Sequence, residues 1–299
     1  MSRLSEVLDE LGGIATRRQL LRRGFTGRQL TAAVRAGSVR RVRQGHYASP
    51  SAGLDRLAAV RIGGRLGCLS ATKSFGLWEG SESLVHVTLP SNAARLRTNL
   101  ALPAGLQTLT PDRFGLPVTL HWRDLRVGQR VGGDAWRVDL VTALGDAARC
   151  AGRRDIRAVF ESAIHEGLLS SDAAQRLLDD ALPRGSAPMR LSGLSGSGAE
   201  SHVVEELLDQ GLPFVQQVEF EGIGRVDFLV GGRLVIEVDG YEFHRSVEQF
   251  ETDRLRDAAL LGRGYPTVRI PARVVLREPE RAAAMIRRAV LAIDALPAA

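Results

Sequence analysis

The 299-residue chain carries 40 basic and 34 acidic residues, a net charge of +6, and its 44% hydrophobic content is enough for two or three modest cores. Its two cysteines, Cys68 and Cys150, stand far apart with no Cys-x-x-Cys or Cys/His spacing, so neither a disulfide framework nor a structural zinc site is indicated. No window approaches ~18 uninterrupted apolar residues and the opening MSRLSEVLDELGG lacks a signal peptide's apolar core, so a soluble, cytoplasmic protein with no membrane association is expected.

The charge is unevenly spread. Residues 1–50 hold ten arginines against Glu6, Asp9 and Glu10, a net +7, which leaves 6 − 7 = −1 for the rest of the chain. Within this module Thr16 and Gln19, then Thr26 and Gln29, have capping-box spacing, and Gly24 and Gly37 supply the stops. Leu20 and Leu21, then Leu30, Ala33 and Val34, give each helix an apolar face. SVRRVRQGHYAS alternates Val39, Val42 and Tyr47 with basic residues around Gln44-Gly45, as a β-hairpin wing does. A winged helix-turn-helix is expected over 1–50, with Arg17, Arg18, Arg28, Arg35, Arg40, Arg41 and Arg43 available to neutralise DNA phosphates.

Residues 51–181 mix helical runs, such as GLDRLAAVRIGGRLGCLSATKSFGLW, with the short strand-like runs LVHVTLP and LPVTLHW, and are read as an α/β connector. His86 and His121 alternate with apolar neighbours there without any carboxylate pattern; they are read as structural and assigned no chemistry. The Gly/Ser/Pro-rich stretch 182–199 is read as a linker.

Over 200–299 the sequence gives a helix (AESHVVEELLDQGLP), a strand-rich run VQQVEFEGIGRVDFLV, a Gly231-Gly232 turn and the strand RLVIEVDG. A helix after Ser246 with a capping box at Gln249, a strand PTVRIP and a C-terminal helix from about 278 to 295 complete the chain. Strand alternation puts Glu237 and Asp239 on one face, with Asp227 able to join them across the hairpin. Three carboxylates in an otherwise apolar sheet repel and resist desolvation unless a cation shares them, and hard oxygen donors point to Mg²⁺ or Mn²⁺. The bland alternative is a hairpin with one wet face.

Two resemblances sharpen this. The pattern G-I-A-T-x-x-Q-L at Gly13–Leu20, Gly24, and R-x-G-x-Y at Arg43–Tyr47 resembles the winged-helix domain of AbiEi-type antitoxins, which implies DNA binding and a toxin-like protein as partner. Residues 199–277, with Glu200, the Val-Asp-Phe at 226–228, the Glu-Val-Asp-Gly at 237–240, His244, and the run Asp253, Arg256, Leu260, Gly264, resemble nucleases related to very-short-patch-repair endonucleases of the PD-(D/E)XK superfamily. That resemblance implies a restriction-endonuclease-like α/β/α domain with a mixed central sheet. It further implies Asp227 and Glu237 as metal ligands, Glu200 as the helical acid completing the shell, and His244 as an acid/base group. Asp239 stands where the wider superfamily has lysine, and Lys73, the only lysine, lies in another domain.

The fold expected is therefore α/β and multidomain, and the function a metal-dependent DNA endonuclease with Asp227, Glu237, Asp239 and His244 as catalytic residues. Arg254, Arg256 and Arg269 are candidates for phosphate contacts, with Arg256 equally suited to an ion pair with Asp253. The rival reading is a non-catalytic, antitoxin-like regulator whose sheet domain serves as a homodimerisation or ligand module.

Overall fold

The computed structural model describes all residues except 1, 81–83, 94–95, 97–107, 110–116, 124–133, 241–246 and 296–299. The chain divides into two compact units, residues 1–151 with 177–186, and 152–176 with 187–299. Among the described residues no helix is long and apolar enough to cross a membrane.

The first unit opens with α1 (Arg3–Glu10), β1 (Ile14–Thr16), α2 (Arg17–Arg22), α3 (Gly27–Arg35), β2 (Arg40–Arg43) and β3 (His46–Ala48). Both capping boxes form: Gln19 N donates to Thr16 Oγ1 while Thr16 N donates to the Gln19 side chain, and Thr26 and Gln29 repeat the exchange. The sequence reading missed α1 and β1; β1 pairs antiparallel with β3 and completes a sheet ordered β1-β3-β2, the architecture of a winged helix. Leu20 and Leu30 are fully buried with Leu4, Leu8 and Tyr47. Leu21, expected on the apolar face, is 39% exposed, because neighbouring helical positions differ by about 100° and Leu20 takes the inward one.

This module is tied to the rest of its unit. Trp136 Nε1 donates to Leu11 O at 3.0 Å, and the Arg56 guanidinium lies 4.0 Å from the Trp136 ring centroid while donating to Gly12 O at 2.6 Å. The remainder of the unit is a mixed sheet ordered β4-β5-β7-β6. It comprises β4 (Arg65–Leu66), β5 (Val85–Pro90), β6 (Thr108–Leu109) and β7 (Val118–Arg123), with α4 (Leu54–Ile62), α5 (Cys68–Lys73) and α6 (Leu140–Cys150). The run from Gly53 to Trp78, read as helical, is thus α4 and α5 with β4 between them. Val85, Val87, Leu89, Val118 and Leu120 form one face of β5 and β7 and pack with Leu57, Ile62 and Trp136.

The second unit contains α7 (Arg153–His165), the start of α8 (Ser171–Ala181), α9 (Gly198–Asp209), β8 (Phe214–Phe220), β9 (Gly224–Val230) and β10 (Leu234–Asp239). α10 (Val247–Gly262), β11 (Thr267–Pro271), α11 (Ala272–Arg277) and α12 (Pro279–Asp294) come after them. Its sheet runs β11-β10-β9-β8, antiparallel except for the parallel β10–β11 pair that α10 bridges. Phe228, Val230, Leu234, Ile236 and Ile270 cluster with residues of α9, α11 and α12, while Leu229 and Val235 cluster with Leu260 of α10. This is the α/β/α sandwich with a mixed sheet that the sequence suggested.

The two units divide the chain differently from the expected 51–181 connector and 182–199 linker. Glu205 on α9, 1% exposed, accepts from Arg157 Nε at 2.5 Å and from Arg153 Nε at 2.6 Å, which fastens α7 to the C-terminal sandwich. Much of 187–195 is packed strap rather than slack chain: Met189 and Ser195 are buried, the Gln175 amide bonds both Met189 O and Leu191 N, and Ser192 N donates to Glu161. Glu205→Ala leaves the buried Arg157 guanidinium with Glu161 at 3.8 Å and Arg190 O alone, so the urea unfolding midpoint should fall by the equivalent of about 2–4 kcal/mol; a loss under about 1 kcal/mol would show the network to be incidental.

Candidate functional site

Strand register draws one polar row across the C-terminal sheet. Glu237 stands opposite Arg269 in the β10–β11 pairing. Ile236 faces Phe228 across β9–β10, so the next position brings Glu237 opposite Asp227. Gln216 pairs with Phe228 and Val218 with Val226, so the same register sets Gln217 on the far side of Asp227. Gln217, Asp227, Glu237 and Arg269 therefore lie in line, one from each strand.

Hydrogen bonds fix this row. Val238 N donates to Asp227 Oδ2 at 2.8 Å, and the Gln217 amide also bonds Asp227. Gln217 Nε2 reaches Glu200 Oε2 at 3.2 Å, and that oxygen also accepts from Gly196 N at 2.9 Å. The first turn of α9 is thereby joined to the sheet through one glutamine. Gln217 has φ +53°, a left-handed conformation uncommon outside glycine, and is held there with an acid on each side of its amide.

Crowding shows in the acidities. Burial pushes Glu237 up to about 7, and Asp227 and Asp239 add to the rise while Arg256 and Arg269 oppose it. Burial likewise raises Glu200 and Asp227, each reinforced by another acid of the group. Two arginines offset part of this charge. Arg256 Nη2 of α10 lies 3.0 Å from Glu237 Oε1 and also donates to Arg225 O. Arg269 Nη1 lies 3.1 Å from Asp239 Oδ1, and its Nη2 lies 2.9 Å from Asp257 and 3.8 Å from Asp253. Yet Glu237 Oε1 and Arg256 Nε are both buried without a hydrogen-bond partner, so the Arg256 contact is close without being aligned. A buried carboxylate oxygen lacking a donor, within a set of hard oxygen ligands, fits a small divalent cation.

Asp227, Glu237 and Asp239 thus share a face as the alternation suggested, and Glu200 joins them. Arg256 partners Glu237 instead of Asp253, and Arg254 lies 3.6 Å from Asp257. His244 and Ser246 lie outside the described residues. Gln217 escaped the sequence reading, although extending the hairpin register by one strand puts it beside Asp227. A cavity of about 230 Å³ lined by Leu212, Val230, Gly231 and Ile293 holds no carboxylate and sits at the β9–β10 turn, away from this row.

The basic module keeps Arg17, Arg18, Arg28, Arg35, Arg40 and Arg41 exposed, and among the described residues no salt bridge engages them. Arg43 differs: it is half-buried with its guanidinium against Gly63, because the wing's root packs on α4. In the same unit Cys68 and Cys150, expected to stand apart, meet His86 and His121, each residue offering one ligand atom within 4.8 Å of the others.

Residues 2–50 match the family model of the AbiEi antitoxin, a transcriptional regulator, and residues 200–290 match that of the restriction-endonuclease-like family REase_MTES_1575. Two uncharacterized proteins of Mycobacterium tuberculosis, from strains CDC 1551 / Oshkosh and H37Rv, are each 29% identical over 281 residues, covering 88% of this chain and 97% of theirs. The catalytic domain of the homing endonuclease I-Bth0305I aligns at 22% identity with a TM-score of 0.29, over 32% of this chain and 95% of that one.

A carboxyl that holds its proton more tightly when folded favours folding at low pH, and that contribution is lost as pH climbs from the unfolded value through about 7. Glu237→Gln removes the titration. In chelator the variant should match the wild type's melting temperature at about pH 5 and exceed it at about pH 8; a variant that melts lower at the higher pH contradicts the charge crowding.

Proposed function

From a chain that joins an AbiEi antitoxin domain to a restriction-endonuclease-like domain, we propose a divalent-metal-dependent DNA endonuclease that hydrolyses phosphodiester bonds and is targeted by its winged helix. The observation that carries this reading is the buried acidic row, in which Glu237 Oε1 meets Arg256 as an ion pair but has no aligned hydrogen bond. Asp227 and Glu237 would hold Mg²⁺ or Mn²⁺, with Glu200 and Asp239 completing the oxygen set. A cation bound there supplies Lewis-acid polarisation of the scissile phosphate and neutralises its developing charge.

The chain's own groups do the positioning. Val238 N–H and the Gln217 amide pin the Asp227 carboxylate, and Gln217 couples it to Glu200. Glu237, which burial pushes up to about 7, would give up its proton to a cation held at the row. Arg256 and Arg269 are the cations at the edge of the row and serve as phosphate contacts. His244 is assigned proton transfer. The exposed arginines at 17, 18, 28, 35, 40 and 41 bind the DNA backbone, with an affinity that falls steeply as salt rises.

One observation favours a second reading, a non-catalytic antitoxin-like regulator acting with a toxin-like protein or as a homodimer: Glu237 and Asp239 already have arginine neighbours, Arg256 and Arg269. Supercoiled plasmid separates the two. The wild type should nick it in Mg²⁺ or Mn²⁺ and stop in EDTA. Asp227→Asn should lose about a hundredfold or more in rate, the scale of several kcal/mol of charge stabilisation, while DNA binding holds. Cleavage retained by the variant would remove Asp227 from the site, and a sequence-specific footprint with no cleavage in either metal would favour the regulator.

A further inference from the structure

The connector sheet carries a polar face that the nuclease reading leaves unexplained. On β5 and β7 the side chains at 85, 87, 89, 118 and 120 enter the apolar core, so His86, Thr88, Thr119 and His121 lie on the opposite face. His86, Thr88 and Thr119 are nevertheless buried there. Register pairs His86 with Thr119 and Thr88 with His121, so the histidines are diagonal neighbours, with His86 Nδ1 3.0 Å from His121 Nε2 and the rings 5.3 Å apart. Cys68 at the start of α5 and Cys150 at the end of α6 close on this point: their sulfurs and the two imidazoles lie within 4.8 Å of one another, and Cys150 Sγ lies 3.8 Å from His86 Nδ1.

We propose that Cys68, His86, His121 and Cys150 form a tetrahedral zinc site that staples α5, β5, β7 and α6 together. Zinc–sulfur and zinc–nitrogen bonds of about 2.3 and 2.0–2.1 Å in a tetrahedron space the ligand atoms about 3.3–3.8 Å apart. The atoms here all lie within 4.8 Å of one another, and the two distances of 3.0 and 3.8 Å bracket that spacing, so small rotamer changes suffice. Two sulfurs with two imidazoles select zinc over the hard cations that suit the acidic row. With four protein ligands no coordination position remains for substrate, so the role is structural.

The backbone independently shows that Cys68 is held in place. Cys68 has φ +47°, a left-handed conformation strained for any side chain with a Cβ. Gly67 before it donates its N–H to His86 O at 2.9 Å, and a Cβ at 67 would collide with Thr88 Oγ1. Only glycine lets this turn press against β5, and that pressure delivers the Cys68 sulfur to His86. A disulfide between the cysteines would use neither imidazole, leaving the two ring nitrogens facing each other for no purpose.

The full chain, purified without a polyhistidine tag and dialysed against a weak chelator, should contain one zinc by mass-spectrometric metal analysis. Replacement by Co²⁺ should give the visible d–d bands and sulfur-to-cobalt charge-transfer band of a tetrahedral thiolate site. Cys150→Ser and His121→Asn alter exposed or half-buried ligands, and each should lower zinc content about tenfold while circular dichroism reports whether the fold survives. Metal-free wild type with two thiols that titrate freely would overturn the site, as would an intact mass two hydrogens short from a Cys68–Cys150 disulfide. Zinc retained undiminished by both variants would show the metal to be bound elsewhere.

Discussion

A carboxylate buried in a sheet stays ionised only beside positive charge, and Glu237 is the group around which the C-terminal unit is arranged. Its strand lies between β9 and β11, so Asp227 flanks it on one side and Arg269 on the other, and α10 brings Arg256 over the same face. Glu200, Asp227, Glu237 and Asp239 set against Arg256 and Arg269 give 2 − 4 = −2, and Arg269 is shared further with Asp253 and Asp257. The row therefore holds more negative than positive charge, which a divalent cation would offset. Burial is the largest cause of the rise of Glu237 to about 7, and the neighbouring charges of Asp227 and Asp239 add to it.

What was legible in the sequence was what local geometry dictates. The capping boxes at Thr16 and Thr26 need only three-residue spacing, and both form. The shared face of Asp227, Glu237 and Asp239 comes from a period of two and a hairpin whose register is pinned by Gly231-Gly232. The sequence groups α7 with the connector, whereas it packs in the second unit, because helical periodicity shows that a face is buried but not what buries it; the partner is Glu205, some fifty residues on. Arg256 was placed on the correct helix, yet its choice of Glu237 over Asp253 depends on how α10 crosses the sheet.

Cys68 and Cys150 mark the other limit. A zinc site read from sequence relies on close pairs such as Cys-x-x-Cys, whereas these ligands come singly from the ends of two helices and the middle of two strands. Their convergence is a property of the β5–β7 register and of the glycine turn at 67. The two units would then use opposite metal chemistries: soft sulfur and nitrogen donors in one site, and hard oxygens in a buried, acidic row in the other.

The most direct test of the acidic row is to count bound Mn²⁺ by electron paramagnetic resonance, titrating the wild type and an Asp227→Asn Glu237→Gln double variant with any tightly bound zinc left in place. Saturable binding of Mn²⁺ by the wild type, competed by Mg²⁺ and absent from the double variant, is the expected result. Equal binding by both proteins, or none by either, would mean that the arginines alone balance these carboxylates and that the row is not a metal site.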